Sequence, residues 1–301
     1  MAESILDLVG NTPVVELART NNTKSTILAK LEALNPSGSI KDVMALYMMD
    51  VAEKRGMLKS GSTIIEATSG NTGISFAMLA PLKGCKFVAV MPEHMSKERR
   101  QMMQAFGAEV VLTPEKDGFA GALDRVEQLA RENKDAWLPR QFDNPDNIAA
   151  HREITAKRIL KEVRDRIDVF VAGVGTGGTL MGVAEALRRA YPGVKIVAVE
   201  PAESAVMSGG KPTSHLIQGI GPGFVPSLVN MSLIDEVIKV KSNDAVAMTR
   251  RLMKEEGLMV GISSGANVLA ALEVAQRLGK GKTIVTILPD RGERYLSMDL
   301  F

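Results

Sequence analysis

The sequence predicts an α/β fold with two lobes, each a mostly parallel sheet flanked by helices. Short apolar segments alternate with longer segments of helical periodicity along most of the chain, an order typical of parallel sheets. The chain has 301 residues, close to the length at which one hydrophobic core divides into two. Polar, glycine-containing loops follow two of the predicted strands, and each leads into a predicted helix.

In the first half of the chain, four short apolar segments are each followed by a segment with helical spacing. The first helix begins at Lys41 and ends before Gly56, a residue type that commonly terminates helices. A polar loop with two prolines, residues 139–145, is expected to be a hinge or crossing point. We predict strands over 25–31, 63–67, 86–91 and 109–113, and helices over 41–55, 74–82, 97–106 and 120–131.

The second half of the chain repeats this order. Residues 201–226 are rich in glycine, proline and serine, and we expect a long functional loop there. We predict strands over 168–172, 195–199, 236–240 and 283–288, and helices over 147–163, 180–190, 244–256 and 266–278. The predicted lobes are a smaller, mobile one of residues 37–145 and a larger one of residues 1–36 and 146–301.

The composition favours a cytoplasmic protein that acts on small molecules. There are 37 basic and 35 acidic residues, a net charge of +2, and no basic segment interleaved with aromatic residues, so no nucleic-acid or membrane surface is predicted. The single cysteine, Cys85, cannot form an internal disulfide, and no apolar segment resembles a signal peptide or reaches membrane-spanning length. The three histidines lack the spacing of a metal site, so no metal is expected.

Lys41 has an unusual position, in the first turn of a predicted helix and directly after a turn of small residues. The positive end of the helix dipole disfavours a cation there, so the lysine should have a pKa below its ordinary value of about 10.4. A neutral amine is the form that makes a Schiff base with a carbonyl group. The alternative is an exposed lysine without a catalytic role.

The glycine-rich loop 173–179 is suited to a phosphate, because its backbone amides lie at a predicted helix N-terminus. Gly173, Gly175 and Gly178 also match the dinucleotide-binding pattern, and Glu200 lies near the position of its ribose-binding acid. A nicotinamide-dependent oxidoreductase is therefore one alternative, and a purely structural turn is another.

The loop 68–73 is suited to a carboxylate. Thr68, Ser69 and Thr72 offer hydroxyl groups and Asn71 offers an amide, at another helix N-terminus. Helix capping by Thr68 and Ser69 is the alternative.

Two further segments remain ambiguous from the sequence alone. In the segment 261–266 capping is the favoured role of the serines, but a neutral hydroxyl could also meet a ring nitrogen without protonating it. The charged segment 289–296 is predicted to have a structural or supporting role.

Taken together, these segments resemble the cysteine synthase (O-acetylserine sulfhydrylase) family nearly from end to end. The matching segments are 35–42, 68–73, 141–142, 173–179, 219–221, 261–265 and 292–296. The resemblance implies the pyridoxal-phosphate fold type II, like that of the tryptophan synthase β chain, with pyridoxal 5'-phosphate as the cofactor.

The resemblance also implies a role for each matching residue. Lys41 would form the Schiff base with the cofactor and act as acid and base. Asn71 would bond the ring hydroxyl oxygen of the cofactor, and Ser263 would face the pyridine nitrogen. The implied phosphate-binding residues are Gly175, Thr176, Gly177, Gly178 and Thr179, and the implied substrate-binding residues are Thr68, Ser69, Asn71, Thr72, Gln141 and Gly219.

The implied reaction is a β-replacement in which acetate leaves O-acetylserine to give an aminoacrylate and sulfide adds to form L-cysteine. The smaller lobe would bind the substrate carboxylate and the larger lobe would anchor the cofactor phosphate. The resemblance further implies a homodimer and serine acetyltransferase as a partner.

Val43 and Asp290 depart from the commonest family pattern, so the leaving group and nucleophile stay open. The alternatives are a cystathionine β-synthase, an enzyme that dehydrates serine, and a synthase that uses O-phosphoserine or thiosulfate. A catalytically inactive relative is a further alternative, which the presence of both Lys41 and Asn71 opposes.

Overall fold

The computed structural model describes residues 2–298 and contains alternating strands and helices. The strands are β1 Val14–Glu16, β2 Thr26–Lys30, β3 Thr63–Ala67, β4 Lys86–Pro92, β5 Glu109–Thr113, β6 Ala136–Trp137, β7 Val169–Gly173, β8 Lys195–Pro201, β9 Glu236–Val240 and β10 Thr283–Ile287. The helices are α1 Lys41–Lys54, α2 Asn71–Leu82, α3 Lys97–Ala105, α4 Gly118–Glu132, α5 Asp146–Ala150, α6 Ala156–Glu162, α7 Gly178–Ala190, α8 Ser242–Arg251 and α9 Ile262–Leu278.

Within residues 2–298 the strands form two sheets. A six-stranded sheet has the order β1-β2-β10-β7-β8-β9, and a four-stranded sheet has the order β5-β4-β3-β6. Every pairing is parallel except that of the edge strand β1 with β2. The predicted two-lobed α/β fold is therefore confirmed, whereas the lobe boundaries at residues 37 and 145 stay a prediction.

Several predicted bounds need correction. The strands β1 and β6 were not predicted. They have three and two residues, respectively, which is too short to show the alternation of apolar and polar residues typical of a strand. The predicted helix 147–163 consists of α5, the π-helical turn His151–Thr155 and α6. The predicted helix 244–256 likewise ends in a π-helical turn, Leu252–Glu256. Helix α9 begins at Ile262, four residues before its predicted start.

Helix α1 begins at Lys41, as predicted. It packs against both α2 and α5, so a wide arc of its surface is buried. Met49 and Ala52 are fully buried in the core of the smaller lobe, whereas Tyr47 and Val51 are only partly buried. Val43 is also fully buried, and its side chain lies next to Gly10.

The carboxyl ends of parallel strands lie at one edge of a sheet, which is where α/β proteins bind ligands. The loop between β3 and α2 and the loop between β7 and α7 both lie at such an edge, one in each sheet. The fold thereby brings the two predicted anion-binding loops to the same cleft. Among residues 2–298, no helix combines the length and the apolar character needed to cross a bilayer.

Candidate active site

A cleft of about 580 Å³ lies between the two lobes and contains almost all of the predicted site residues. Those that line it are Lys41, Thr68, Ser69, Asn71, Thr72, Gln141, Gly175, Thr176, Gly177, Thr179, Gly219 and Ser263. Gly178 is the exception. A Cβ atom at that position would lie 1.9 Å from Oδ1 of Asn147, so this glycine permits close packing below the loop rather than forming its surface.

Lys41 lies in the cleft, half-buried, and not on an exposed face. Burial lowers the pKa of its amine, although the Asp290 carboxylate opposes this shift. No hydrogen bond or ion pair joins its Nζ to another group of residues 2–298. The amine is thus free to react with a ligand in the cleft.

The glycine-rich loop offers unpaired amides at the N-terminus of α7. The N–H groups of Gly175, Thr176 and Gly177 donate to no group within residues 2–298. A Cβ at position 175 would lie 2.3 Å from the Gly219 carbonyl oxygen, so only glycine fits there. Three free amides beside a helix N-terminus form a site for a phosphate.

The loop after β3 offers a second set of donors on the opposite side of the cleft. Thr68 Oγ1 accepts from the amide of Gly73 at 3.2 Å, but the N-cap residue of α2 is Gly70, so Thr68 bonds the first turn without being its cap. The amides of Ser69, Asn71 and Thr72 have no partner within residues 2–298. Thr72 donates its hydroxyl proton to Gln141 Oε1 at 2.7 Å. These groups are suited to a carboxylate.

Ser263 is the second residue of α9, and its side chain does not cap the helix. Gly261 is the N-cap residue and no side chain bonds the first turn, so the favoured capping role of the serines is wrong. Ser263 is 3% exposed and lines the cleft, where it presents a neutral hydroxyl group.

Asn71 is held by two residues from the charged segment that follows β10. Its Nδ2 donates to Asp290 Oδ2 at 2.7 Å, and its Oδ1 accepts from Arg294. Asp290 also accepts from the Tyr295 hydroxyl at 2.5 Å, and burial raises the pKa of Tyr295 well above its ordinary value. These bonds fix the orientation of the Asn71 amide. The predicted supporting role fits Arg294, but Asp290 and Tyr295 themselves line the cleft.

A buried carboxylate lies directly behind Lys41. Asp42 accepts from the Ser37 amide at 2.7 Å and from the Ser75 hydroxyl at 2.5 Å, and Arg294 bonds the carbonyl oxygen of Ser37. The turn that precedes Lys41 is therefore tied both to α2 and to the segment that follows β10. Apart from the position of Asp42 beside Lys41, no sequence pattern indicates this cluster.

His151 and Glu200 have structural partners. Burial, together with the nearby positive charge of Lys41, lowers the pKa of His151 to about 3, so its ring is neutral. The ring lies 3.0 Å from Thr155 Oγ1 and 3.3 Å from Thr179 Oγ1. Glu200 accepts from the amides of Met207 and Ser208 at 2.8 and 3.2 Å and does not line the cleft. The nicotinamide alternative therefore lacks its ribose-binding acid.

The cleft has the groups that pyridoxal phosphate requires. The free amides of the loop 173–179 match its phosphate, the unpaired Lys41 amine matches its aldehyde, and the Ser263 hydroxyl is a neutral partner for its ring nitrogen. The second donor loop leaves room for the carboxylate of an amino acid. The residues present fit the cofactor.

Comparison with known proteins gives the same result. Residues 5–290 match the family described as "Pyridoxal-phosphate dependent enzyme". A cysteine synthase of Staphylococcus aureus is 47% identical over 301 residues, which cover 99% of this chain and 97% of that protein.

Solved structures are similar over the whole chain. The cysteine synthase of Entamoeba histolytica superposes with a TM-score of 0.96 at 44% identity and covers 100% of this chain and 91% of its own. An O-ureido-L-serine synthase gives a TM-score of 0.97 at 44% identity, with coverage of 100% and 95%. The predicted family, enzyme class and cofactor are thereby confirmed, and the chain belongs to the pyridoxal-phosphate dependent enzymes of the cysteine synthase family.

Proposed function

We propose that this chain forms L-cysteine by replacing the acetyl group of O-acetylserine with sulfide, using the cleft residues in the roles described below. The observation that supports this most strongly is the position of Lys41, an unpaired amine with a lowered pKa between two loops of free backbone amides. One loop would hold the cofactor phosphate and the other the substrate carboxylate.

The cofactor would be held by residues of both lobes. Gly175, Thr176, Gly177 and Thr179 bind its phosphate through backbone amides and hydroxyl groups, with Gly178 allowing the loop to pack against Asn147. Asn71 would bond the ring hydroxyl oxygen with the amide hydrogen that Asp290 leaves free. Ser263 would face the ring nitrogen and, being neutral, would leave it largely unprotonated. Bound pyridoxal phosphate supplies an aldehyde that condenses with amines and a ring that accepts electrons from the α-carbon.

The substrate carboxylate would lie against Thr68, Ser69, Asn71, Thr72, Gln141 and Gly219. Lys41 would be released from the cofactor when the substrate amine binds, and as a neutral amine it would take the α-proton. Acetate leaves with its bonding electrons from the β-carbon, sulfide adds at that carbon, and Lys41 returns the proton to the α-carbon. The lowered pKa of Lys41 increases the share of its amine that is neutral and therefore able to accept a proton.

Lobe closure and assembly complete the proposal. Closure of the smaller lobe, residues 37–145, would exclude water during the reaction. A homodimer, serine acetyltransferase as a partner and a cytoplasmic location follow from the family resemblance. Large exposed apolar side chains such as Ile5, Leu8 and Met57, each at least 42% exposed, provide surface that a dimer could bury.

A second candidate is β-replacement with a larger thiol such as homocysteine. Phe119, Met95 and Phe142 line the cleft, and the ring centroids of Phe119 and Phe142 are 6.2 Å apart. Such an apolar wall would accommodate an aliphatic chain. Val43 does not bear on this choice because it packs in the core beside Gly10.

The test is the rate of product formation with matched substrate pairs. O-acetylserine with sulfide should give cysteine and acetate. Replacing O-acetylserine with O-phosphoserine, or sulfide with homocysteine, should lower kcat/KM by about tenfold or more. A higher kcat/KM with O-phosphoserine would contradict the proposed leaving group, and a higher value with homocysteine would favour the second candidate.

A further inference from the structure

Glu66 is a buried carboxylate at the end of the strand that leads into the proposed substrate loop. It is the fourth residue of β3, is 5% exposed and lies two residues before Thr68. Its side chain does not line the cleft, and the proposed reaction gives it no role. A buried carboxylate is costly to keep, so its partners should explain its presence.

Those partners are two consecutive backbone amides in the turn that follows β6, the strand paired with β3. Glu66 Oε2 accepts from the amide of Arg140 at 2.9 Å, and Oε1 accepts from the amide of Gln141 at 3.4 Å. The side-chain amide of Gln141 also stabilises the charged form of the carboxylate. One side chain thus organises both the backbone and the side chain of Gln141.

Arg140 has a backbone conformation that requires such support. Its φ is +53°, and within residues 2–298 no other non-glycine residue has a positive φ. This left-handed conformation costs a side-chain-bearing residue free energy, but it points successive amides at one anion. The Glu66 carboxylate is that anion.

Gln141 connects the two loops of the cleft. Its Oε1 accepts the Thr72 hydroxyl proton at 2.7 Å, and its carbonyl oxygen accepts from Asn147 Nδ2 at 2.8 Å. The same Asn147 amide donates to Thr176 Oγ1 at 3.0 Å. A shift of the turn at Arg140 would therefore displace Gln141 relative to Thr72 of the substrate loop and loosen its link to the phosphate loop.

We propose that Glu66 is a positioning residue whose ionised carboxylate holds Gln141 in place for the carboxylate of the amino-acid substrate, so that substrate affinity falls when Glu66 is protonated. This inference rests on the proposed function. A protonated carboxyl group has lost its negative charge and keeps only one strong acceptor oxygen, so it holds the two amides of the turn more weakly than the carboxylate does.

The relevant protonation occurs near neutral pH. Burial raises the pKa of Glu66 to about 7, although the amides of Arg140 and Gln141 and the charge of Arg140 oppose the shift. Arg140 is the charged group that acts on Glu66, and its guanidinium is itself paired with Glu127 at 2.7 Å. The carboxylate should therefore be mostly ionised at pH 8.5 and mostly protonated at pH 6.

The test compares Glu66→Gln with the wild-type holoenzyme in binding L-serine, followed by the visible absorbance of the bound cofactor from pH 6 to 8.5. Glutamine has the same shape but directs an NH₂ group at one of the two amides. At pH 8.5 we expect the variant to bind L-serine about tenfold more weakly than the wild type, because one charge-assisted hydrogen bond is lost. At pH 6 the ratio of the dissociation constants of variant and wild type should approach one. Effects of pH on L-serine itself cancel in this ratio.

Two further variants distinguish a positioning role of Glu66 from a nonspecific disturbance of the surrounding structure. Glu127→Gln removes the exposed partner of the Arg140 side chain and should bind L-serine like the wild type. Arg140→Gly, added to Glu66→Gln, should recover part of the affinity, because glycine adopts a positive φ without cost.

The outcomes distinguish this inference from the proposed function. A ratio that does not change with pH, or a Glu66→Gln holoenzyme that binds L-serine like the wild type, would overturn the role of Glu66 alone. A wild-type protein that holds the cofactor but binds neither L-serine nor O-acetylserine would overturn the proposed substrate class and this inference with it.

Discussion

Burial sets the ionisation of the side chains around the cleft. Desolvation is the largest cause of the pKa shifts of Lys41, Asp42 and His151, lowering the pKa of the amine and the imidazole and raising that of the carboxyl group. The hydroxyl groups of Ser37 and Ser75 oppose the shift of Asp42. An amine that loses its proton readily is available in the neutral form that can accept a proton from a substrate.

The neutral ring of His151 predicts a stability that depends on pH. Its pKa falls from 6.5 to about 3 on folding, so below pH 6.5 the unfolded chain binds a proton that the folded chain does not. Stability is therefore lost as the pH falls, by about 1.4 kcal/mol per pH unit for one proton. In urea denaturation between pH 6 and 4, His151→Gln should reduce the slope of the unfolding free energy against pH by about this amount.

The matched control is His94→Gln, which replaces a more exposed histidine with a side-chain exposure of 40%. Glu66 acts in the opposite sense, since its raised pKa makes the folded chain bind the extra proton between pH 4.5 and 7. Its contribution is common to all three proteins and cancels in the comparison. Equal slopes for His151→Gln and the wild type would show that the ring is protonated in the folded protein.

The loops at the strand ends are the elements that give the fold its chemistry. The loop 173–179 lies so close to residue 219 that a Cβ at Gly175 would be 2.3 Å from a backbone oxygen, which cannot move aside like a side chain. Gly175→Ala should therefore open the loop and weaken cofactor binding by about tenfold or more, a loss measured by equilibrium dialysis of pyridoxal phosphate.

Gly193→Ala is the control for this prediction. Its Cβ would meet only the end of the Arg166 side chain, at 3.1 Å, so cofactor binding should stay within about twofold of the wild type. If Gly175→Ala retains wild-type affinity, the close packing of the two loops does not shape the phosphate site.

The strand, loop and helix units could be predicted because each depends on neighbouring residues. The run of apolar residues in β3 and the polar loop after it are both visible in the sequence. The supporting contacts could not be predicted, since Arg294 and Asn71 are 223 residues apart and their meeting depends on the packing of both lobes. Ser263 shows the same limit, because the true cap is Gly261 and the direction of the serine side chain depends on its tertiary surroundings.

At the scale of the whole molecule, the end of the described chain joins the two lobes. Arg294 bonds the Ser37 carbonyl oxygen and Asn71 of the smaller lobe, and Arg99 lies over the ring of Tyr295 at 5.5 Å. Asp290 connects the same segment to the six-stranded sheet through the strand that precedes it. These contacts hold the substrate loop and the turn before Lys41 in one frame, so the reactive amine keeps its position between the loops.

The central claim is that Lys41 is the residue that binds the cofactor covalently. Its most informative competitor is Lys30, which is fully buried, has a lowered pKa and lies 3.8 Å from Glu162, outside the cleft. The direct test is borohydride reduction of the purified holoenzyme followed by peptide mass spectrometry. We expect a phosphopyridoxyl group on Lys41 in the wild type and no modified lysine in Lys41→Ala. A modified Lys30, or an active enzyme without a modified Lys41, would contradict the account.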